Sequence, residues 1–332
     1  MRIGFTAPSI RFDFLNFDPL PVTMTKILIT GGAGFIGSSL AEKLLTNSEY
    51  FVVLVDNLLT GELRKLPQRD NCKFIKCDVN HYNDIAAIMT SYQFDYVFHF
   101  AAVVGVKRTL ENPVQVLNDL SGIKNILELS KNTGVKRVFF SSSSEVYGEP
   151  VELPQNEETT PLNSRLPYAV VKNVGEAFCR SYQQEYGLSF TIFRFFNTYG
   201  PRQSTDFVIS KFISSALSHL PITIYGKGLQ TRTFCYVDDN VDCMIKILEQ
   251  NLMVNDVINI GNDKDYTILQ LAQTIIELTG SKSELVYLPP LKEGDMTRRQ
   301  PDASKMKSIL NRELLPLDKG ISKILKEKKY FL

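Results

Sequence analysis

The sequence predicts an α/β fold, a doubly wound parallel sheet with helices on both faces and a smaller C-terminal lobe. Three observations predict it. Between Met24 and about Phe195, short β-rich runs alternate with stretches that are apolar at helical spacing. The first β-rich run turns through Gly31, Gly34 and Gly37 straight into such a stretch. Several runs end in polar or small residues, as strands do where they open onto a ligand crevice.

Six strands are expected, at 26–30, 51–56, 73–77, 96–100, 137–142 and 189–195. The first, Lys26 to Thr30, leads through the glycines into a helix that includes Ser38 to Leu45. The second, Phe51-Val52-Val53-Leu54-Val55, stops at Asp56. The next three stop at Cys77-Asp78, at Phe100-Ala101-Ala102 and at the serine run Ser141 to Glu145. Beyond Phe195 the rhythm loosens: Asn197-Thr198-Tyr199-Gly200-Pro201-Arg202 reads as a turn, 206–218 as a helix, and Gly226 and Gly228 break up the next region. Residues 233–237, 240–250 and 257–260 read strand, helix, strand and are expected to return to the main sheet. Residues 267–279 and 302–310 read as helices of the lobe.

The glycines carry the first functional reading. Their spacing closes a tight turn, lets backbone N–H groups approach a pyrophosphate and packs the next helix onto its strand, with the helix start facing the negative charge. Gly31, Gly34, Phe35, Ile36 and Gly37 are therefore expected to cradle a dinucleotide. No Lys-Ser/Thr pair follows the last glycine, so a triphosphate P-loop is excluded. Asp56, about 20 residues on, is placed to accept the ribose hydroxyls of NAD and to repel the 2′-phosphate of NADP; Arg64 and Lys65 nearby keep NADP as the minor alternative. Asn57 is expected among the cofactor-binding residues, Asp78 with Val79 can meet the adenine, and Ala101 and Ala102 are small enough for the cofactor to lie against backbone. The expected domains are 24–195 as the NAD-binding, Rossmann-type domain with 233–261 returning to it, and 196–232 with 262–332 as the substrate lobe.

Bulk properties narrow the class. A chain of 332 residues, 44% hydrophobic, suits about two domains. A formal charge of +1 without a long basic run argues against nucleic acid as a partner, and no apolar stretch approaches the ~20 residues of a membrane span. Five cysteines without a CxxC pair and three scattered histidines read as a cytoplasmic protein with reduced thiols and no metal site. Residues 1–23, with Pro8, Asp13, Asp18, Pro19 and Pro21, read as an extension, poorly ordered or draped on the surface. Met24 directly precedes the first strand, so a start placed too far upstream is the expected explanation.

Tyr168-Ala169-Val170-Val171-Lys172 is the second constellation. At i, i+4 the two polar groups share a helix face, where the ammonium is expected to bring the phenol down from roughly 10 towards neutrality and make it a base. A serine of the 141–144 run can hydrogen-bond the same substrate oxygen, so an alcohol can be oxidised by hydride transfer to NAD.

Thr30 to Gly37, Asp56, the Tyr168/Lys172 pair and the strand-end serine together resemble the extended short-chain dehydrogenase/reductases that modify nucleotide-linked sugars. The resemblance spans about residues 25–315. Arg194 to Arg202, Gln230 to Phe234, Asn259 to Asn262 with Thr267 to Leu269, and Arg298-Arg299-Gln300-Pro301-Asp302 are similar to the UDP-glucuronate decarboxylases and, less closely, to the UDP-hexose 4-epimerases. The resemblance implies that Ser143 pairs with Tyr168, that Lys172 holds Tyr168 and the nicotinamide ribose, and that the sugar is first oxidised at C4. It also implies that Asn197 and Arg232 bind the diphosphate or its ribose, and that the protein dimerises through helices near 113–133 and 168–186. Glu145 matches decarboxylases and 4,6-dehydratases, where a carboxylate can act as general base or steer substrate, and Arg299 matches an arginine near the sugar acid. The loop Ala101 to Arg108 is instead epimerase-like, with Lys107 and Arg108 as candidate carboxylate contacts. Decarboxylation, 4-epimerisation and 4,6-dehydration of a nucleotide sugar, UDP-linked by resemblance, stay open, as does a non-catalytic NAD-binding regulator.

Overall fold

The computed structural model describes residues 24–290 and 298–327. The extension 1–23 and the lobe segments 291–297 and 328–332 lie outside the described residues. In chain order the first half comprises β1 (Thr25–Thr30), α1 (Phe35–Leu44), β2 (Tyr50–Asp56), β3 (Cys72–Lys76), α2 (Tyr82–Tyr92), β4 (Tyr96–His99), α3 (Val106–Glu111), α4 (Pro113–Leu117), α5 (Asp119–Thr133), β5 (Arg137–Ser143), α6 (Pro167–Tyr186) and β6 (Ser189–Phe195). All six expected strands are present, with ends displaced by no more than one residue. The second half adds β7 (Thr198–Tyr199), α7 (Val208–Leu217), β8 (Ile222–Tyr225), β9 (Thr231–Thr233), β10 (Cys235–Tyr236), α8 (Val237–Glu249), β11 (Asp256–Ile260), β12 (Asp265–Thr267), α9 (Ile268–Thr279), β13 (Leu285–Leu288), α10 (Ser304–Leu310) and α11 (Leu317–Lys326).

Seven strands form one sheet in the order β11-β6-β5-β4-β1-β2-β3, and every pairing is parallel. β1 sits between β2 and β4, so the chain leaves it in one direction along the sheet and later returns on its other side. That reversal opens a crevice beyond the carboxyl ends of the strands. Period-two alternation sends Ile27 and Ile29 into a core shared with α1 and α8, and Leu28 into the opposite core with α2, α5 and α6. Each aliphatic side chain buried in this way contributes about 1.5–3 kcal/mol.

The expected return of 233–261 is divided. β11 takes the sheet edge beside β6, but β10 pairs with β7 in a separate two-stranded ribbon. Two residues of extended chain are too short to add a row to the sheet, and α8 starts at once. In the lobe, α9 opens on a capping box in which Thr267 Oγ1 accepts Gln270 N–H at 3.0 Å and Gln270 Oε1 accepts Thr267 N–H at 2.8 Å.

α6 lies unusually close to the sheet. A Cβ added at Gly175 would overlap the edge of the Phe140 ring on β5, 2.8 Å from Cε1, so only a glycine lets the helix seat at that depth. Gly175→Ala should therefore destabilise the fold by about 1–3 kcal/mol, as overpacking does. Chemical denaturation checks this, and an unchanged midpoint would contradict the close seating.

Candidate active site

The glycine turn is built by close approach. Gly31 has a φ of +68°, and a Cβ there would meet Ala101 N at 2.8 Å; a Cβ on Gly37 would overlap the carbonyl oxygen of Gly31. α1 starts after Gly34 with no side-chain cap, so the N–H groups of its first turn face the cradle rather than a capping oxygen. Asp56, at the end of β2, is tied to this turn: Oδ2 accepts Ala33 N–H at 3.1 Å and Oδ1 accepts Leu58 N–H at 2.8 Å. Burial pushes its carboxyl up, and the two N–H groups work against that. Glu62 engages Lys65 at 2.7 Å and Arg64 at 2.6 Å, so both cations that could have welcomed a 2′-phosphate already have a carboxylate partner. Asn57 Nδ2 donates to Asp78 Oδ2 at 3.0 Å, with Val79 beside them.

Thr30 organises the other wall. Its Oγ1 accepts the N–H groups of Phe100 at 3.0 Å and Ala101 at 3.1 Å, and lies 2.8 Å from His99 Nδ1. With both acceptor positions used, the hydroxyl donates to Nδ1, and the ring proton belongs on Nε2. Burial pushes the His99 imidazole down to about 3, so it stays neutral. Sequence reasoning missed Thr30 and His99; the hydroxyl one residue before Gly31 was the available signal.

Tyr168 and Lys172 share one face of α6 as expected, but the expected acidification is overturned. Burial, followed by the Glu145 carboxylate, pushes the Tyr168 phenol above its ordinary value, and the hydrogen bond with Ser143 opposes this only in part. The Lys172 ammonium stands 5.7 Å from the centroid of the Tyr168 ring and donates to Ser141 Oγ at 3.3 Å. Burial pushes Lys172 itself down to about 8, with the Asp119 carboxylate opposing. Asp119, another residue not anticipated, also accepts Val103 N–H at 2.7 Å.

Ser143 Oγ accepts Glu145 N–H at 3.2 Å at the start of a 3-10 turn over Ser144–Tyr147. Glu145 Oε1 lies 2.7 Å from Arg299 Nη1, while its Oε2 is buried without a partner among the described residues. A residue of the Rossmann half and one of the C-terminal lobe are thus joined in the site. Asn197 Nδ2 donates to Thr233 O at 3.0 Å, and Arg232 Nη1 to Thr231 O at 2.7 Å. Arg108 turns aside: Nη1 donates to Val104 O at 2.8 Å and Nη2 is 3.7 Å from Asp206. The side chain of Lys107 lies outside the described residues.

One cavity of about 750 Å³ collects these groups. It runs from Gly31, Gly34, Phe35, Ile36 and Gly37 past Asp56, Asn57, Asp78 and Val79 to Ala101 and Ala102, then to Ser143, Glu145, Tyr168 and Lys172, and ends at Asn197, Arg232 and Arg299. A glycine-lined anion cradle at one end and an arginine pair at the other fit a dinucleotide and a second phosphorylated ligand.

Residues 27–261 match the model of the NAD dependent epimerase/dehydratase family. UDP-glucuronic acid decarboxylase 1 of Danio rerio is 36% identical over 311 residues, covering 90% of this chain and 72% of that protein. The UDP-glucose 4-epimerase of Thermotoga maritima, solved with UDP-glucose, superposes with a TM-score of 0.86 at 34% identity over 91% of this chain and 98% of that one. The UDP-glucuronic acid 4-epimerase of Bacillus cereus, in complex with UDP-glucuronic acid and NAD, gives 0.82 at 30% identity over 91% and 100%. With the glycine cradle, the Tyr168/Lys172 face and the Ser143 strand end assembled around one cavity, this chain belongs to the NAD dependent epimerase/dehydratase family of nucleotide-sugar modifying enzymes.

Proposed function

We propose that this enzyme is a UDP-glucuronate decarboxylase-like protein, and the observation that carries the reading is the Glu145–Arg299 pair at 2.7 Å beside Tyr168. In this reading residues 31–37 and Asp56 hold NAD, Asn57, Asp78 and Val79 flank its adenosine, and Ala101 and Ala102 let it lie against backbone. The lobe formed by 196–232 and 262–332 binds the sugar nucleotide, with Asn197 and Arg232 on the diphosphate or ribose. When bound, NAD would supply a hydride acceptor and a positive ring charge that adds to the downward pull of Ser143 and Arg299 on the Tyr168 phenol. Tyr168 takes the proton from the C4 hydroxyl, Ser143 orients that oxygen, and Lys172 fixes the base. The C4 ketone so formed lies β to the C6 carboxylate, which makes the C5–C6 bond labile and releases carbon dioxide. Arg299 anchors the carboxylate, Glu145 acts as the positioned acid or base that serves C5, and the cofactor held by residues 31–37 and Asp56 would supply the hydride that reduces C4 again.

A second reading, 4-epimerisation, is favoured by the Ala101 to Arg108 loop and by similarity to solved 4-epimerases. It shares the first step and needs Glu145 far less. 4,6-Dehydration would use Glu145 to remove water. Incubating the enzyme with a panel of nucleotide sugars and reading the products by mass separates the three, as loss of carbon dioxide, loss of water or no change. Free thiols at all five cysteines suit a cytoplasmic setting for this chemistry. We also infer a homodimer pairing helices near 113–133 and 168–186. Val114, Leu117, Val170 and Tyr186 are exposed there at 70%, 43%, 38% and 52%, apolar surface that a second copy of the chain would cover.

Tyr168→Phe should leave cofactor affinity intact yet form neither product nor reduced cofactor, since only the ionisable oxygen is lost; turnover by this variant would end the mechanism. Glu145→Gln should lower decarboxylation by roughly 10²–10⁴ while barely changing cofactor binding, and near-equal rates would favour epimerisation. Lys172→Met, measured on the protein without cofactor, should be more stable than wild type at pH 7 by up to about 3 kcal/mol. The native ammonium titrates near 8 instead of 10.5, so its burial cost is full below pH 8 and fades as pH rises towards 10.5. Urea melts at pH 7 and pH 10 test this sign. Sedimentation over a concentration series tests the dimer, which should dissociate on dilution and be weakened by Val114→Glu.

A further inference from the structure

Behind the site a continuous polar chain crosses the apolar interior, and its members Glu176, Arg194, Tyr147, Asn259 and Gln155 line none of the cavity. Glu176 lies on the same face of α6 as Tyr168 and Lys172, one further turn along, and is fully buried. Its Oε1 accepts from Ser142 Oγ at 2.6 Å and from Arg194 Nε at 2.9 Å, and its Oε2 from Arg194 Nη2 at 2.8 Å. Arg194 Nη1 donates to Tyr147 Oη at 2.9 Å, and the guanidinium also stands 4.9 Å from the centroid of the Tyr147 ring. Tyr147 Oη donates to Asn259 Oδ1 at 2.8 Å, and Asn259 Nδ2 to Gln155 O at 2.9 Å. Gln155 then brackets the arm that carries Arg299: its N–H donates to Gln300 O at 2.7 Å and its O accepts Asp302 N–H at 2.8 Å. Arg299 returns to Glu145, two residues before Tyr147, and the circuit closes.

The circuit joins two groups of residues with different tasks. On one side stand Tyr168, Lys172 and Ser143, which the oxidation requires; on the other stand Glu145 and Arg299, which the later step requires. Tyr147 is the only side chain among those named that belongs to the turn of Glu145 and also bonds the α6–β6 side. Its phenol is fully buried and pushed up to about 12, chiefly by burial, so it remains a donor to Asn259 and an acceptor from Arg194 across the working pH range.

We propose that Tyr147 is a positioning residue: through its hydroxyl, held between Arg194 and Asn259, it keeps the Glu145–Arg299 pair in register with Tyr168, and so governs what happens after the sugar is oxidised. The inference rests on the two-stage chemistry proposed above for its kinetic arm, and on geometry alone for its structural arm. Tyr147→Phe removes the hydroxyl and keeps the ring against Phe196. In hydrogen–deuterium exchange without any ligand, it should speed exchange at 298–302 as well as at 144–148, and leave 25–56 unchanged. With the substrate found in the panel, reduced cofactor should form at the wild-type rate while product formation falls roughly 10- to 100-fold, the scale of a small misplacement of reacting groups, so that reduced cofactor accumulates. Asn259→Asp keeps the acceptor for Tyr147 and loses the donor to Gln155, so it should give the same partition, and the double variant no more than either single one. Unchanged exchange at 298–302 would overturn the proposal, and so would oxidation and product formation falling in equal proportion. If wild type oxidises no nucleotide sugar, the functional reading fails, and the exchange result still decides the role of Tyr147.

Discussion

The bidentate pair between Arg194 on β6 and Glu176 on α6 is the constraint on which the site depends. Two charges in an apolar interior are expensive to desolvate, and such a pair is sustained only where geometry is good and the remaining hydrogen-bonding positions are filled. Here they are filled by Ser142, Tyr147 and the backbone of Glu157. Burial alone would push the Glu176 carboxyl up, but Arg194 and Ser142 outweigh it and hold the group below its usual range. The stability it lends is therefore complete above the ordinary glutamate range and is lost only as acid takes pH down through the depressed value. Removing Glu176 leaves the Arg194 charge in the core without its carboxylate, at a cost of about 3–5 kcal/mol, whereas Glu176 without Arg194 keeps only Ser142 and Arg180.

Electrostatics in the cavity run in the opposite sense. Tyr168 is pushed up and Lys172 down, both chiefly by desolvation, so the protein alone stabilises the neutral form of each. In the proposed mechanism, a base held this way would be quiet until a further positive charge arrives next to it, which would limit chemistry to the loaded enzyme. Neutral His99 and the donor-saturated Thr30 keep the neighbouring wall free of competing charge.

The main sheet and the glycine cradle were legible in the sequence because each rests on a local period: alternation along Lys26 to Thr30, glycines three apart, an apolar run closed by Asp56. The i, i+4 spacing of Tyr168 and Lys172 was equally plain. Contacts between distant segments escaped. No period marks Thr30 as the partner of His99, or Tyr147 as that of Arg194 and Asn259. The direction of the Tyr168 shift was misjudged because spacing reports proximity and not desolvation. The ribbon of β7 and β10 escaped because two-residue strands carry no pattern of their own.

The backbone pairing of Gln155 with 300–302 has a consequence for descent as well as for chemistry. Ser143, Tyr168 and Lys172, the groups proposed to serve the oxidation, sit on the sheet and α6, whereas Arg299 reaches the site on a strip joined to the body by main-chain bonds that tolerate many side chains. A lineage can therefore exchange the residues on that strip without dismantling the apparatus that makes the ketone. One ancestral oxidation could in this way come to feed several different endings, which suits a family in which decarboxylases, epimerases and dehydratases share a single scaffold.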